Sequence, residues 1–462
     1  MSASPDQFGS VEVKGIELIG DNERHGKASD LFWMWMGSNT NIFYPVNGAL
    51  LIFFGLSFSQ AVLAILIGNL IFFGVGLTSL QGPKTGTTTF SISKASFGPN
   101  GGRGLSLMNW ATCVGFEASG IALMVLAGLA LLGEAGVHNP SAGVKIVMLI
   151  VAMGIQSLLP VLGHQTIMLV QKYLTYLLVP VFAIMAILVA GKVHTSSLSH
   201  GTSWAVFTEG LALVISGGGL SWSNTGSDYS RYLARETKGS SIFWFASLGG
   251  MIPAVLLEIL GSAIASVVKN ASDPIGGLPS AFPSWVVVPY LIVAILSLLA
   301  ANTTNLYSSG LTLQSIGVKL SRWQCVAIDL AICTVIGGIT IFSSNFNHLY
   351  SNFLSLLIIW LAPWLGIYGV DWLLRKGKYD APALLAGKGG RYWRSGGFNI
   401  AGVSAQVIGM IAAAMWIDSP AFVGPLSSRT NYADFSVFMG LIIGGLAYYL
   451  LAGRSIKDEA TQ

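Results

Sequence analysis

The segment SGGGLSWSNTG, residues 216–226, decides the fold because it interrupts a stretch of membrane length with a glycine triplet and then polar residues. A similar interruption, GSNTNIFYP at residues 37–45, combines small and amide side chains with a proline. Glycine is unfavourable inside a helix, and proline removes a backbone donor and clashes with the preceding turn. Irregular backbone at membrane depth is tolerated only where protein or a water-filled cavity surrounds it. We therefore predict two broken helices that border a cavity.

The composition places these interruptions in a helical membrane protein. The chain has 462 residues, of which 53% are hydrophobic and 10% are charged, whereas a soluble domain carries about 25% charged residues. Apolar stretches of about 20 residues indicate membrane helices rather than the shorter alternating strands of a barrel. The three cysteines have no metal or disulfide spacing, and the GxxxxGK[ST] phosphate-binding pattern does not occur. These features do not favour an enzyme, a cofactor, an ATP-driven pump or a nucleic-acid partner.

We predict twelve transmembrane helices, all in the cell membrane, with both termini in the cytoplasm. On this count, 19 of the 24 Lys and Arg residues fall in cytoplasmic segments and 4 fall outside. Cytoplasmic loops of membrane proteins carry an excess of these residues, so the distribution supports the count and the orientation. The predicted spans are 31–54, 59–80, 104–133, 143–161, 166–190, 206–223, 240–267, 285–312, 324–342, 349–374, 397–417 and 434–452.

The two interruptions fall in spans one and six, which are five spans apart. This spacing is typical of secondary transporters built from two five-helix repeats of inverted topology, with substrate and ion bound at the interruptions. Two ordinary glycine kinks are the alternative interpretation. The predicted organisation is a cytoplasmic tail (1–30), a first repeat (31–190), a second, inverted repeat (206–374), a cytoplasmic loop (375–396), helices 11 and 12 (397–452) and a cytoplasmic tail (453–462).

Glu117, in CVGFEASG at residues 113–120, is a charged side chain in the middle of span three. A carboxylate at the bilayer centre costs roughly 2.5–3.5 kcal/mol on insertion scales, so it normally faces a cavity or a partner. Three roles are open: accepting hydrogen bonds from N–H groups of a substrate, carrying a proton, or bonding to a neighbouring helix without a role in transport. For the other membrane carboxylates, we expect Glu258 to have a partner in the bundle and Asp329 to reach the interface.

Span eight ends with polar residues at spacings of three and four, which place them on one helix face. Two adjacent hydroxyls with carbonyl oxygens from a broken helix would form an oxygen cage suited to Na⁺. Such a stripe could instead hold helices together, as Ser, Thr and Asn often do in membranes. The stripe consists of Asn302, Asn305, Ser308, Ser309 and Thr312.

Five segments resemble the nucleobase:cation symporters, in particular the purine–cytosine permease branch. They are GIELIGDNERHGKASDLFWMWMGSN (15–39), GPKTGTTTFSISKASFG (82–98, a predicted loop), SDYSRYL (227–233), NLYSSGL (305–311) and APWLGIYGVDWL (362–373). The resemblance implies a LeuT-type fold of five plus five helices with two more at the end. It also implies import of a nucleobase, such as cytosine or a purine, coupled to Na⁺ or H⁺. A carrier of a related heterocycle (allantoin, a hydantoin, or a thiamine or pyridoxine precursor) and an uncoupled facilitator or channel are the alternatives.

The resemblance also implies positions for the site. The family's stacking aromatic and hydrogen-bonding amide of span three correspond here to Cys113 and Glu117, so the aromatic is absent and the amide is a carboxylate. The second aromatic corresponds to Trp222 as the nearest candidate, or to Gly219 by strict spacing. The implied substrate-binding residues are Glu117, Cys113, Phe116, Gly219, Trp222, Ser38, Asn39, Asn302, Asn305 and Gln314, and the implied cation-binding residues are Ser38, Asn41, Asn305, Ser308 and Ser309.

Overall fold

The computed structural model describes residues 8–193, 201–342 and 346–461, and this part of the chain is helical apart from turns and loops. Short 3₁₀ and π turns join several of the helices. The helices are α1 (Ala28–Asn39), α2 (Phe43–Phe53), α3 (Phe58–Gly68), α4 (Phe72–Ser79), α5 (Gly82–Thr85), α6 (Thr89–Glu134), α7 (Ala142–Val161), α8 (His164–Ala190), α9 (Trp204–Ile215), α10 (Gly226–Ser230), α11 (Gly239–Ala265), α12 (Ser284–Ile316), α13 (Arg322–Ile341), α14 (Phe346–Leu374), α15 (Ala381–Leu385), α16 (Ile400–Trp416) and α17 (Ser436–Thr461).

The first predicted break separates α1 from α2. Polar side chains bond to the local backbone there and so replace helical hydrogen bonds. Asn39 Nδ2 donates to the carbonyl of Trp35 at 2.8 Å, and Asn41 Nδ2 donates to the carbonyl of Ser38 at 2.8 Å. Asn41 Oδ1 then accepts from the backbone N–H of Phe43 at 3.0 Å, which satisfies a free donor at the start of α2. The amides of this segment therefore both end one helix and begin the next.

The second predicted break follows α9. Residues Ser216–Leu220 form a π-helical turn in which Gly218 has a non-helical backbone (φ −111°, ψ −127°). A 3₁₀ turn at Ser223–Thr225 follows before α10 begins. Gly219 lies directly against α4, because a Cβ atom at this position would be 2.5 Å from the backbone nitrogen of Phe72. The glycine triplet thus permits both the irregular turn and the close approach of a neighbouring helix.

The core of the fold is a set of tightly packed helices around the two breaks. The backbones of α2 and α11 nearly touch, since a Cβ on Gly261 would lie 1.9 Å from the carbonyl oxygen of Pro45. Small residues allow membrane helices to approach in this way and to gain van der Waals contact. On the other side, α6 packs along α12 and α13, while α1 packs on α8, α11 and α12. The last two helices, α16 and α17, pack on α14. Both breaks therefore lie within the first ten predicted spans.

The structure agrees with the prediction of a membrane protein that crosses the bilayer with many helices. Within the described residues, eleven helical segments are long and apolar enough to cross a membrane, and Phe43–Phe53 is a shorter apolar helix after the first break. The count of twelve spans, the orientation and the domain limits stay predictions. The predicted junction of spans nine and ten lies partly outside the described residues, as do residues 1–7 and 462 of the predicted tails.

Two features differ from the sequence-based expectation. The segment 82–98, predicted as a loop, is mostly helical: it contains α5 and the start of α6, which bends at Gly98 (φ 76°) before the predicted third span. In addition, a 3₁₀ turn at Asn69–Ile71 divides span two into α3 and α4. There Asn69 Nδ2 donates to Glu258 Oε2 at 2.6 Å, so Glu258 has the partner in the bundle that the sequence suggested.

Candidate functional site

A narrow cavity of about 20 Å³, enough for about one water molecule, lies between the two breaks and α12 in this conformation. Pockets that enclose drug-sized ligands are larger, about 300–1,000 Å³, so a substrate would require this cavity to widen. Its position agrees with the prediction that the interruptions border a cavity. It is lined by Asn41, Phe43, Tyr44, Phe116, Gly217, Ser221, Trp222, Ala301, Asn302, Asn305 and Tyr350.

Aromatic rings form much of the cavity wall, and most of them contact a second ring. Trp222 makes an edge contact with Trp35, with ring centroids 5.5 Å apart. Phe43 stacks on Tyr350 at 5.3 Å, and Phe116 contacts another ring of α14 edge-on. Aromatic faces of this kind suit a flat ring, which gains contact area and favourable stacking geometry.

Amide groups supply the polar part of the wall. Asn302 Nδ2 donates to the backbone carbonyl of Glu117 at 3.0 Å. Its Oδ1 is buried and has no hydrogen-bond partner among the described protein groups. A buried polar atom without a partner is costly, so this carbonyl oxygen is a ready acceptor for an N–H group of a ligand.

The structure separates the predicted substrate residues into two groups. Phe116, Trp222, Asn302 and Asn305 line the cavity. The other six are not part of its lining: Glu117 and Cys113 are buried on α6, Gly219 lies against α4, Ser38 and Asn39 are buried at the first break, and Gln314 donates to the backbone carbonyl of Leu320.

Glu117 points towards α13 in this conformation. Its Oε2 accepts from Cys333 Sγ at 3.0 Å, and its Oε1 is buried with no hydrogen-bond partner among the described groups. The side chain is fully buried. Its backbone carbonyl, rather than its carboxylate, reaches the cavity wall through Asn302.

Sequence reasoning did not assign several lining residues to the substrate. Phe43 and Tyr44 directly follow the first break, and their position in IFYP was an available signal for an aromatic wall. Asn41 was predicted only as a cation ligand, yet it also lines the cavity. Tyr350 lies near the start of α14, far from both breaks in sequence, and no local pattern marks it.

Of the predicted cation residues, Ser38 lies where α1 meets α12, whereas Ser309 faces α13. Ser38 Oγ and Thr304 Oγ1 are 2.6 Å apart, which joins the broken end of α1 to α12 one turn before Ser308. Ser308 Oγ donates to the hydroxyl of Tyr229 at 3.3 Å, and Ser309 Oγ donates to a carboxylate of α13 at 2.8 Å. A hydroxyl that donates its proton elsewhere keeps its lone pairs for a cation.

We expect this set of residue types to suit a hard monovalent cation. It consists of two hydroxyl oxygens and backbone carbonyls from a broken helix, which are oxygen ligands of the type that alkali and alkaline-earth ions prefer. Within the described ranges, no group of three or more His, Cys, Asp or Glu residues could hold a metal ion. The residues predicted from the sequence to hold the cation stay a prediction: Ser38, Asn41, Asn305, Ser308 and Ser309.

A buried ionic network lies on the side of the molecule that we predict to be cytoplasmic. Glu12, which precedes the first span, is 4% exposed and lies between two fully buried guanidinium groups. Arg231 Nη2 is 3.2 Å from its Oε1, and Arg322 Nε is 3.7 Å from its Oε2. The hydroxyl of Tyr232 donates to Oε1 at 2.5 Å, and the backbone N–H of His164 donates to Oε2 at 3.0 Å.

The network involves five separate segments of the chain. Burial alone would lower the pKa of Arg231, but the neighbouring Tyr307, Tyr232 and Glu12 raise it above the ordinary value, so the guanidinium stays charged. Arg231 also donates to the backbone carbonyl of Gly15, which ties the N-terminal segment to the region after α10. The sequence placed Glu12 in a tail and gave no signal for this contact.

The arrangement of broken helices around a central cavity defines a multi-pass membrane transporter. Two solved structures of Mhp1, a nucleobase-cation-symport-1 family transporter, share the fold. The closed form with bromovinylhydantoin bound has a TM-score of 0.77 and 15% sequence identity. Its alignment with this protein covers 97% of each chain. The inward-facing form has a TM-score of 0.71 and 14% identity, and covers 99% of this chain and 98% of that chain.

The chain belongs to the family described as permeases for cytosine/purines, uracil, thiamine and allantoin, whose model matches residues 18–440. It is 29% identical to YxlA of Bacillus subtilis (strain 168), whose name assigns it to the purine-cytosine permeases, over 97% of this chain and 98% of the relative. The purine-cytosine permease fcyB of Emericella nidulans is 23% identical over 97% of this chain and 89% of the relative. The protein is therefore a transporter and not an enzyme.

Proposed function

We propose that this permease imports a nucleobase, cytosine or a purine-like base, together with Na⁺ or H⁺ by alternating access. The observation that carries the proposal is the cavity between the two breaks, which combines aromatic walls with an unpartnered amide carbonyl. The similarity to purine-cytosine permeases supports the same substrate class.

In the proposed complex, the base lies against Trp222 and donates a ring or exocyclic N–H to Asn302 Oδ1. Stacking of a base on an aromatic side chain contributes about 1–3 kcal/mol. Because Asn302 Nδ2 is already bonded to the Glu117 carbonyl, its Oδ1 is held in the acceptor orientation. The site therefore favours bases that present a donor at this edge.

The cation would bind between the end of α1 and the serine pair of α12. It would supply positive charge that draws these two helices together. Ser38 already contacts Thr304 there, so the two elements are positioned for a shared ligand. Cation binding would favour the outward-open state, and the substrate would then favour closure.

Glu117 has a supporting role in this proposal. Its peptide group orients Asn302, and its carboxylate lies behind the cavity wall against Cys333. Direct contact between the carboxylate and the base would require a different side-chain conformation. A proton carried by Glu117 remains the rival assignment, and the experiment below separates the two.

Uptake of labelled cytosine, adenine, guanine, uracil and allantoin into proteoliposomes tests the proposal, with and without an inward Na⁺ gradient and at several pH values. The variants are Asn302→Ala, Ser308→Ala and Glu117→Gln. Ser297→Ala is the matched control, because Ser297 is a buried serine of α12 that bonds only to the backbone carbonyl of Ala294.

We expect uptake of an amino-bearing base that depends on Na⁺, with Asn302→Ala raising KM about tenfold or more and Ser308→Ala raising the Na⁺ concentration required. Ser297→Ala should change neither value. Proton-driven uptake that loses its pH dependence in Glu117→Gln would assign coupling to Glu117. Uptake independent of either gradient would identify a facilitator, and uptake of allantoin alone would move the substrate to the related heterocycles.

A further inference from the structure

Asp329 is a buried carboxylate of α13 whose two oxygens each have a separate partner. Oδ1 accepts from the indole N–H of Trp110 on α6 at 2.5 Å. Oδ2 accepts from the hydroxyl of Ser309 on α12 at 2.8 Å. The residue is fully buried, contrary to the expectation that it reaches the interface.

No positive side chain among the described residues neutralises Asp329. The nearest arginine in sequence, Arg322, is directed to Glu12 and to the backbone carbonyl of Pro160. The nearby acidic group is Glu117, whose carboxylate also faces Ser309. Carboxylates inside membrane proteins normally pair with a cationic group, and none of the described Lys or Arg side chains takes that place beside Asp329.

The hydrogen-bond chemistry fixes what Asp329 does to Ser309. Ser309 Oγ donates to Asp329 Oδ2, so the proton of the hydroxyl points towards α13. The lone pairs of Ser309 Oγ then point away from Asp329. Hydrogen-bonded carboxylates behind a ligand orient it and raise its basicity in many metal sites, and their loss typically weakens metal binding 10- to 100-fold.

We infer that Asp329 is a positioning residue of the cation site, which turns the Ser309 oxygen towards the bound ion and supplies the negative charge that balances it. The inference rests on the proposed cation site between α1 and α12. Asp329 does not touch the ion itself. It acts through Ser309, and Trp110 holds the carboxylate in the orientation that this requires.

The test measures Na⁺ binding to the purified protein directly, as the Na⁺-dependent rise in melting temperature with choline chloride keeping ionic strength constant. A ligand that binds only the folded state stabilises it by RT ln(1 + [L]/Kd). The Na⁺ concentration that gives a fixed rise in melting temperature, the Na⁺ midpoint, therefore increases with Kd. The variants are Asp329→Asn, Asp329→Glu, Ser309→Ala and the double variant Asp329→Asn/Ser309→Ala. Glu258→Gln is the matched control, because Glu258 is also a fully buried carboxylate with an amide partner.

We expect Asp329→Asn and Ser309→Ala each to raise the Na⁺ midpoint about tenfold or more. The midpoint of the double variant should be no higher than that of the single variant with the higher midpoint. Non-additivity of this kind shows that two residues act through one contact. Asp329→Glu should restore part of the affinity, and Glu258→Gln should keep the wild-type midpoint. A merely structural role would lower the melting temperature without moving the midpoint.

Two results would overturn the inference in distinguishable ways. If the wild type responds to Na⁺ and Asp329→Asn responds at the same midpoint, Asp329 does not position the site although the cation proposal stands. If the wild type shows no specific response to Na⁺, the cation proposal itself fails and the inference fails with it. If Asp329→Asn does not fold, Ser309→Ala and Asp329→Glu decide the question by the same measurement.

Discussion

Neutralising Glu12 should open the predicted cytoplasmic side of the permease. The substitution Glu12→Gln keeps the size of the side chain but removes the charge that faces Arg231 and Arg322, whose side chains are both 0% exposed. Breaking a buried ion pair by removing one partner costs about 3–5 kcal/mol, because the remaining charge is left uncompensated. Each 1.4 kcal/mol corresponds to a factor of ten, so the closed state would lose roughly 100- to 4,000-fold in relative population.

A cysteine at Thr87 reports this opening. Thr87 is buried beneath the N-terminal segment, and its hydroxyl donates to the backbone carbonyl of Ile16 at 2.7 Å. In a background with Cys113, Cys325 and Cys333 replaced by alanine, a membrane-impermeant maleimide should modify this cysteine in inside-out vesicles. We expect Glu12→Gln to increase the rate of modification at least tenfold.

Glu17→Gln is the control, because Glu17 lies in the same segment but is exposed and bonds only to the backbone N–H of Gly15. Equal modification rates in the two variants would refute the reasoning, since the buried ion pairs would then not hold the segment in place. The melting temperature of Glu12→Gln is measured as well. If it shows that the protein unfolds under the conditions of the assay, a faster modification of the cysteine would also count against a local opening.

Three further measurements check other parts of the structure. Trp222→Ala should raise the KM for the transported base about 5- to 100-fold, whereas Trp222→Phe, which keeps an aromatic face, should change it by only a few fold. Gly261→Ala should lower the melting temperature of the purified protein, because the new methyl group would overlap the carbonyl oxygen of Pro45 and overpacking costs about 1–3 kcal/mol. Gly154→Ala should leave the melting temperature unchanged, because the space around its new methyl group is open. Burial raises the pKa of Asp434 to about 6, so the folded state favours the protonated carboxyl, and wild-type stability should fall as the pH rises from about 4 to 6. Melting curves of Asp434→Asn over this range should be flatter, and an unchanged pH dependence would exclude Asp434 as its source.

The breaks could be predicted from sequence because they depend on local chemistry. Glycine, proline and short polar side chains disfavour a continuous helix wherever they occur, and α1–α2 and the turn after α9 lie where these residues cluster. The break at Asn69 was not predicted, because it contains neither a glycine cluster nor a proline. The break contains instead an asparagine that donates to Glu258, which is 189 residues away in sequence.

The candidate site was only partly predictable for a related reason. Spacing places Asn302, Asn305, Ser308 and Ser309 on one face of span eight. Span three is uncharged apart from Glu117 and has apolar residues on all sides, so its sequence does not show which side faces which neighbouring helix. The orientation of Glu117 towards α13 therefore had no sequence signal. The same holds for Asp329, whose burial depends on how α13 packs against α6 and α12.

The position of Glu12 also has a practical consequence for work with this permease. A chain shortened to the start of the first predicted span would lose a carboxylate on which two interior arginines depend, although it would keep every predicted membrane helix. Affinity tags and fluorescent fusions are therefore better placed after α17, and an N-terminal fusion needs a linker that leaves the chain free to reach its place from residue 8 onwards. Loss of transport after N-terminal trimming would report the missing counter-charge and would not, on its own, identify a substrate-binding residue.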